Sequence, residues 1–304
     1  MDNFRSGVVA LIGPPNAGKS TLLNALIGEK VAIVSPKPQT TRSQITGILN
    51  DEAKQIVFID TPGIHKHKGK MNKMLVDSAW NSLLAAQAVV LVLDAERYAD
   101  SQHKLQNDLQ LLVPRLSQIE LPLSLVLNKI DLLRDKSALL PLIAQLSQML
   151  PAVEIFPVSA RSLEGLDVLL AHVVHSLPVA PPMFPADQLS TLSLRFMAAE
   201  IIREKLFLEL EKELPYQVMV EIESWDEKTY PVQIGAVISV GSPSHKGIVI
   251  GKGGSRLREI GRAARKDIAA MLGSKIFLEL WVRVQQNWTE DKNVLSAVLG
   301  NDLL

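Results

Sequence analysis

Cysteine is absent from the 304 residues, which rules out disulfides and thiolate metal sites and fits a reducing compartment. Long apolar runs are missing as well. The longest stretch free of Asp, Glu, Lys and Arg runs from Val168 to Ala186; it holds two histidines and four prolines and cannot span a bilayer. The N-terminus, MDNFRSGVVALIG, lacks the charged, apolar and small-residue series of a secretion signal and reads as a strand entering a glycine loop. No repeat or low-complexity tract is visible, and the expected location is the cytoplasm. Net charge is zero, so the surface as a whole is no trap for polyanions. Charge acts locally, however: from Ser244 to Lys275 eight cations stand against Glu259 and Asp267, giving that segment +6 and the rest of the chain −6.

What is present suffices for two buried cores: 47% of residues are apolar, 21% charged, and the length exceeds one average domain. Short apolar strand candidates recur at Val8 to Ile12, Gln55 to Ile59, Ala88 to Leu93, Leu123 to Leu127 and Glu154 to Val158. Helical patterns at Gly18 to Ile27, Met71 to Ala86 and Ser137 to Leu150 fall between them. Alternation of this kind predicts a mostly parallel sheet covered on both faces, with its ligand at the carboxyl ends of the strands. Four prolines in LPVAPPMFP (Pro178, Pro181, Pro182 and Pro185) oppose helix and central strand alike, which places a linker over 178–188 between units at 1–177 and 189–304. The second unit reads as helix (Leu192 to Leu214), strand, strand (Val232 to Val240), glycine turn with helix, and a last strand (Ile276 to Val284), a small α+β domain.

Gly13 to Ser20 reads GPPNAGKS between a strand and a helix. A phosphate chain needs several amide donors converging on it, and glycines let the backbone curl that closely. Gly13, Pro14, Pro15, Asn16, Ala17, Gly18, Lys19, Ser20 and Thr21 are therefore candidates for nucleotide binding: Lys19 for the β and γ phosphates, Ser20 for Mg²⁺. Asp60 to Gly63, DTPG, ends the strand QIVFI. A carboxylate there holds Mg²⁺ through water, Gly63 offers its amide to the γ phosphate, and Thr61 and Pro62 complete the turn. Between the two motifs SPKPQTTR carries Thr40 and Thr41, either of which can ligate Mg²⁺; Thr41 is preferred. Asn128 to Asp131 reads NKID and decides the base. The Asp131 carboxylate accepts from both the N1 hydrogen and the exocyclic amine of guanine, whereas adenine presents an acceptor there. Asn128 orders the loops and bonds the other edge of the base, the Lys129 stem lies over the ring, and Ser159 and Ala160 offer a backbone amide to the guanine carbonyl. His65 and His67 in HKHKGK have no carboxylate neighbour at metal-site spacing and read as a solvated loop.

Taken together, GPPNAGKS, DTPG, NKID and SAR resemble the motif set of the translation-factor-related GTPases over Val8 to Leu177. The resemblance implies an α/β P-loop NTPase fold of the Ras-like G-domain type. It further implies Mg²⁺-dependent hydrolysis of GTP to GDP and phosphate, with Lys19, Thr41, Asp60 and Gly63 as the catalytic set. Ile64 departs from the Ras-like pattern, since a water-orienting glutamine is expected after Gly63. Relatives with Asn at the place of Asn16 use a potassium ion near the phosphates, and the resemblance extends that expectation to this chain.

Gly251 to Gly254 reads GKGG and opens an amphipathic basic helix. Glycines let a phosphodiester backbone lie against main-chain amides, and neighbouring cations attract it, which points to single-stranded RNA. VIGKGGSRLREIGRAARKDI resembles the GxxG turn of K-homology (KH) domains, and the strand order fits their type II form. KIFLELWVRVQQNW is similar to the final strand of that domain as found in the Era family, whose pattern of one G domain and one KH domain this chain resembles over nearly its whole length. The resemblance implies binding of Gly251, Lys252, Gly253, Gly254, Arg256 and Arg258 to the 3′ end of 16S ribosomal RNA, and a part in maturation of the 30S subunit. It also implies a KH domain with a C-terminal helix, a monomer, and, as in some members, peripheral association with the inner face of the cell membrane, although no insertion element or lipidation signal is visible. Two rivals stand beside this reading: a P-loop kinase or ATPase, which NKID opposes, and an RNA-binding scaffold whose nucleotide is never hydrolysed.

Overall fold

The computed structural model describes residues 3–65, 69–99, 101–291 and 294–295. The chain divides into two compact units, one of Met1–Ala32 with Thr41–Thr191, the other of Ile33–Thr40 with Leu192–Leu304.

The first unit alternates strand and helix in chain order: β1 (Arg5–Ile12), α1 (Lys19–Ile27), β2 (Ile45–Asn50), β3 (Lys54–Asp60), α2 (Lys70–Asn81), β4 (Ala88–Asp94), α3 (Ala95–Ala99), α4 (Gln102–Leu116), β5 (Leu123–Asn128), α5 (Leu139–Met149), β6 (Glu154–Pro157) and α6 (Leu166–His175). The sheet order is β2-β3-β1-β4-β5-β6, with only β2 antiparallel to its neighbour. All seven residues of β4, AVVLVLD, are buried, as a central strand covered on both faces requires. Burying each such Val or Leu side chain contributes roughly 1.5–3 kcal/mol. Parallel pairing sends the loops after β1, β3, β4, β5 and β6 to one edge of the sheet, where every nucleotide motif lies.

The five expected strands are joined by β2, whose sequence ITGILN gives little apolar signal. Gly47 in its middle lacks a side chain because one would meet Leu23 Cδ1 at 2.8 Å, so α1 packs directly on the strand. The helix expected over Met71 to Ala86 ends at Asn81 and passes into a 3-10 turn at Ser82–Leu84. The proline segment is laid against the first unit and is no free tether. Gln55, fully buried, receives the amides of Met183 (2.6 Å) and Phe184 (2.9 Å) on Oε1 and donates from Nε2 to the Phe184 carbonyl at 2.7 Å. Ala180 donates to Phe4 O at 3.0 Å, and Ile48 donates to Leu189 O at 2.8 Å. Prolines supply no donors, and the amides of Ala180, Met183 and Phe184 find their acceptors on Phe4, just before β1, and on Gln55. Consequently this unit ends at Thr191, beyond the expected linker.

The second unit carries α7 (Leu194–Glu209), β7 (Val218–Asp226), β8 (Val232–Val240), α8 (Pro243–Ile250), α9 (Ser255–Leu272) and β9 (Ile276–Val284). Its sheet runs β7-β8-β9, antiparallel then parallel. Alternation sends Ile276 and Val282 of β9 inward against Ile260, Ala264 and Ile268 of α9 and Ile202 and Leu206 of α7. Helix α8 comes from PSHKGIVI; Ser242 caps it by accepting from the His245 amide at 3.3 Å. The expected C-terminal helix falls mostly on residues 292–293 and 296–304, which lie outside the described residues.

Candidate functional site

The loop after β1 is held open by residues with positive φ: Gly13 at 148°, Asn16 at 62° and Gly18 at 89°. A Cβ on Gly18 would sit 2.3 Å from Asn128 Nδ2, and one on Gly13 2.2 Å from Val92 O, so both positions need glycine for space as well as for conformation. Ala17 donates to Pro14 O at 3.4 Å and closes the loop. Lys19, at the start of α1 and 6% exposed, folds its ammonium back onto Gly13 O (3.2 Å) and Pro14 O (3.0 Å). Burial pushes its pKa down to about 8, with Asp60 acting the other way. Thr21 follows in the same helix and is half-buried.

Asp60, at the end of β3 and wholly buried, is the hub of a small oxygen cluster. Its Oδ2 accepts from Ser20 Oγ at 2.5 Å and Thr41 Oγ1 at 3.3 Å, and the two hydroxyls lie 3.0 Å apart. Asp60 Oδ1 is buried without a hydrogen-bond partner. Burial raises the Asp60 pKa, and the Lys19 charge works against that rise. An orphaned carboxylate oxygen beside two hydroxyls fits Mg²⁺, a hard cation that takes one or two protein oxygens and completes its shell with phosphate and water. Among the described residues no cluster of three or more carboxylates or imidazoles exists that would cage a metal unaided. Thr41 enters this cluster; Thr40 instead donates to Lys37 O at 2.8 Å and meets Ser35 Oγ at 2.9 Å within its own loop.

DTPG packs hard against the phosphate loop. A Cβ on Gly63 would meet Pro15 Cα at 2.6 Å and Pro15 N at 2.7 Å. Thr61, fully buried, donates its hydroxyl to Leu11 O at 2.8 Å, and Pro62 is buried beside it. Thus the side chain of Thr61 braces the strands behind the site. Ile64 donates its amide to Gly13 O at 3.0 Å and buries its side chain in the core with Ile12 and Leu93. His65 Nδ1 lies 2.9 Å from Gly63 O, while His67 falls outside the described residues.

The base motif is organised by Asn128, 1% exposed at the end of β5. Its Nδ2 donates to Ala17 O at 3.0 Å, and its Oδ1 accepts from the amides of Lys129 (2.8 Å) and Ala160 (3.0 Å). One side chain thereby ties together the phosphate loop, NKID and SAR. Asp131 is exposed, and its Oδ1 accepts from Ser159 Oγ at 2.7 Å, which turns the carboxylate toward one side. The amides expected to meet a guanine carbonyl have protein partners: Ser159 N donates to Glu164 O at 3.0 Å and Ala160 N to Asn128. The structure therefore joins Ser159 to Asp131 through its hydroxyl and shows Asn128 ordering the loops. A residue the sequence reading passed over joins them. Asp94, paired in register with Asn128 and 6% exposed, holds Lys129 Nζ at 2.5 Å while Lys129 itself adopts φ 68°. An Asp closing the apolar strand AVVLVLD was the only available signal.

In the second unit α8 and α9 flank GKGG. Gly251, Gly253 and Gly254 have φ of 73°, 58° and 76°, and a Cβ on Gly253 or Gly254 would meet nothing within 4 Å. The turn is thus open as well as left-handed, and Lys252 is exposed on it. Arg256 is half-buried and Arg258 exposed beside the turn. Arg256 Nη1 donates to Ile248 O and Arg258 Nη2 to Gly253 O, both at 2.8 Å, so the two guanidiniums brace the turn and keep further donors beside it.

Comparison with known proteins agrees with both halves. A family model described as "50S ribosome-binding GTPase" matches residues 8–129, and a KH-domain model matches residues 213–289. The GTPase Era of Nitratidesulfovibrio vulgaris (Miyazaki F) is 53% identical over 296 residues, covering 97% of this chain and 96% of the relative. The GTPase Era of Xanthomonas oryzae pv. oryzae is 46% identical over 294 residues, 96% of each. Among solved structures, a variant of Aquifex aeolicus Era bound to GDP·AlF4⁻ has a TM-score of 0.90 at 36% identity, covering 98% of this chain and 99% of that one. An Era complex with MgGDPNP and nucleotides 1506–1542 of 16S ribosomal RNA has the same TM-score, identity and coverage.

Proposed function

The chain belongs to the Era family of GTPases, and from that membership we propose a GTP-hydrolysing switch that binds the 3′ end of 16S ribosomal RNA and acts in maturation of the 30S subunit. The observation that carries the reading is the oxygen cluster of Ser20, Thr41 and Asp60 beside Lys19, with Asp60 Oδ1 unpartnered.

Asp131, aimed by Ser159, accepts the N1 and amine hydrogens of guanine, and the Lys129 stem, steadied by Asp94, lies along the ring. The backbone N–H groups from Asn16 to Ser20 donate to the phosphate oxygens, and Lys19 leaves the loop carbonyls for the β and γ phosphates. Ser20, Thr41 and Asp60 hold Mg²⁺, which when bound neutralises charge developing on the phosphates. Gly63 donates its amide to the γ phosphate, water attacks the γ phosphorus, and the bond to GDP breaks to release phosphate. Thr41 has its ligand only while the γ phosphate is present, so cleavage frees its loop.

No side chain at 64 reaches the water, because Ile64 is in the core. We assign part of the missing stabilisation to K⁺ near Asn16, whose φ of 62° puts it at the exposed crest of the loop. GKGG clamps single-stranded RNA through its open backbone face, with Lys252 supplying attraction and Arg256 and Arg258 keeping the turn in shape. The protein acts as a cytoplasmic monomer with peripheral attachment to the inner membrane face; no helix among the described residues is long and apolar enough to cross a membrane. Phosphate release under multiple turnover, with GTP and ATP, in K⁺ and Na⁺ buffers, and with and without a 16S 3′-end oligonucleotide, tests the reading. Turnover of GTP alone, faster in K⁺ and changed by the RNA, is expected. Preference for ATP, or binding without turnover, overturns it.

A further inference from the structure

The sheet of the second unit has one face packed against helices and one face bare. Helices α7 and α9 cover the side reached by Ile276 and Val282 of β9. On the other side the same strand presents Phe277, Glu279, Trp281 and Arg283, all exposed, with Phe277 at 47% and Trp281 at 48%. Alternate residues of a strand stand about 6.5 Å apart on one face, so an acid lies between two aromatic rings in a single row. Gly235 of β8 makes room for the indole: a Cβ there would come within 2.9 Å of Trp281 Cζ3. Arg283 is already occupied, pairing with Glu221 and Glu223 of β7 at 3.1 Å each. Glu279 has no ion-pair partner among the described residues.

Charge decides what such a row accepts. Strands β7, β8 and β9 carry Glu221, Glu223, Asp226 and Glu279 against Arg283, a balance of −3, whereas Ser244 to Lys275, with α8 and α9, carries +6. Exposed rings also stack nucleobases, but the phosphates that come with them are drawn to the cations of the helical side and repelled here. A cation, by contrast, gains from the ring faces and from the unpaired carboxylate together. We propose that Phe277, Glu279 and Trp281 form a docking row for an arginine-rich segment of a protein partner, with one guanidinium lying on Trp281 and bonded to Glu279. Arginine suits the row better than lysine because its planar group stacks on an indole while its N–H donors still reach a carboxylate. An extended segment repeats its own side chains at the spacing of the row, so arginines at alternate positions match it. None of these residues belongs to the nucleotide site or the glycine turn, so the surface stands whether or not the function proposed above does.

The test uses the full-length protein with Glu279→Lys, Trp281→Ala and Trp281→Phe. Each is titrated by fluorescence anisotropy with a labelled octapeptide alternating Arg and Ala, and with its counterpart alternating Glu and Ala. The wild type is expected to bind the arginine peptide alone, and less tightly as salt rises. Glu279→Lys and Trp281→Ala should weaken that binding by about tenfold, while Trp281→Phe, which keeps a ring, retains most of it. Melting temperature and RNA-free GTP turnover report that each variant is folded; Glu279→Lys, a change at an exposed site, carries the test where loss of the indole lowers the melting temperature. Equal affinity of the wild type and Glu279→Lys for the arginine peptide overturns the proposal. So does a single-stranded oligonucleotide whose binding is lost in Trp281→Ala, which makes the row a base-stacking surface. Sedimentation of the wild type as a dimer that Trp281→Ala dissociates overturns it as well, by giving the row to a second copy of this chain.

Discussion

Asp131→Asn is the sharpest perturbation of the nucleotide site, because it changes one atom on an exposed side chain and leaves the fold within about 0.5 kcal/mol. In the native protein Ser159 Oγ occupies Asp131 Oδ1 at 2.7 Å, which leaves Oδ2 and the remaining lone pairs for the two guanine hydrogens. An asparagine keeps its carbonyl for Ser159 and turns an NH₂ toward the base. One charge-assisted hydrogen bond, about 1.5–3 kcal/mol, is lost, and two opposed NH₂ groups add a further desolvation cost of about 1–3 kcal/mol. The sum, about 2.5–6 kcal/mol, corresponds to a fall in GTP affinity of about 10²–10⁴-fold. Xanthine carries a carbonyl in place of the amine and accepts from the new amide, so XTP affinity should rise while that of GTP falls. Competition of GTP, XTP and ATP against a fluorescent nucleotide at fixed Mg²⁺ measures all three. GTP affinity within threefold of the wild type would refute the assignment of Asp131 to the base. Ser159→Ala is the control: loss of one aiming hydrogen bond costs about 1 kcal/mol, or about fivefold in GTP affinity, with no gain for XTP.

Three further outcomes follow from the geometry. Gly18→Ala forces a Cβ to 2.3 Å from Asn128 Nδ2 at φ 89°, and should cost about 2–3 kcal/mol of stability with loss of nucleotide binding, read by thermal melting and titration. The Lys19 pKa lies near 8 in the free protein and rises when phosphates favour the charged form. Below pH 8 the ammonium is charged with or without nucleotide; above it, binding must take up a proton, so GTP affinity should fall as pH rises from about 8 toward 10. Calorimetry at pH 9 in two buffers of different ionisation enthalpy would show that uptake, and none in Lys19→Met. Lys252→Glu should weaken binding of a 16S 3′-end oligonucleotide by about tenfold at low salt and less at high salt, with RNA-free GTP turnover unchanged. Equal affinities at both salt concentrations would leave GKGG without its assigned role.

Most of the fold was legible because buried parallel strands write themselves as apolar runs, as in AVVLVLD and LSLVLN, and because loops that curl around phosphates need glycine. Other parts carried no such mark. Strand β2 has Gly47 in its middle and breaks the alternation of a half-buried strand, and what makes it a strand is pairing with β3 along six residues. The proline segment reads as a linker because prolines oppose regular structure. It is ordered nonetheless by Gln55, a residue whose importance is invisible until its amide is seen facing Met183 and Phe184. Asp94, likewise, is one acidic residue among 32 until the register sets it beside Asn128 and under Lys129.

The sequence by itself determined the chemical inventory: glycines at 13, 18 and 63, a lysine and a serine at the mouth of a helix, an aspartate fit for guanine, and a second glycine turn among cations. These follow from spacing alone, since the backbone geometry that binds phosphate is local. Tertiary structure decided the roles. It placed Thr41 rather than Thr40 beside Asp60, spent Asn128 on three loops, gave Ser159 to Asp131, turned Arg256 and Arg258 onto the carbonyls near their own turn, and put residues 33–40 with the second unit. The contacts of Thr41, Asn128 and Ser159 depend on atoms far apart in the chain meeting within about 3 Å, the range of a hydrogen bond, and no spacing along a sequence encodes that distance.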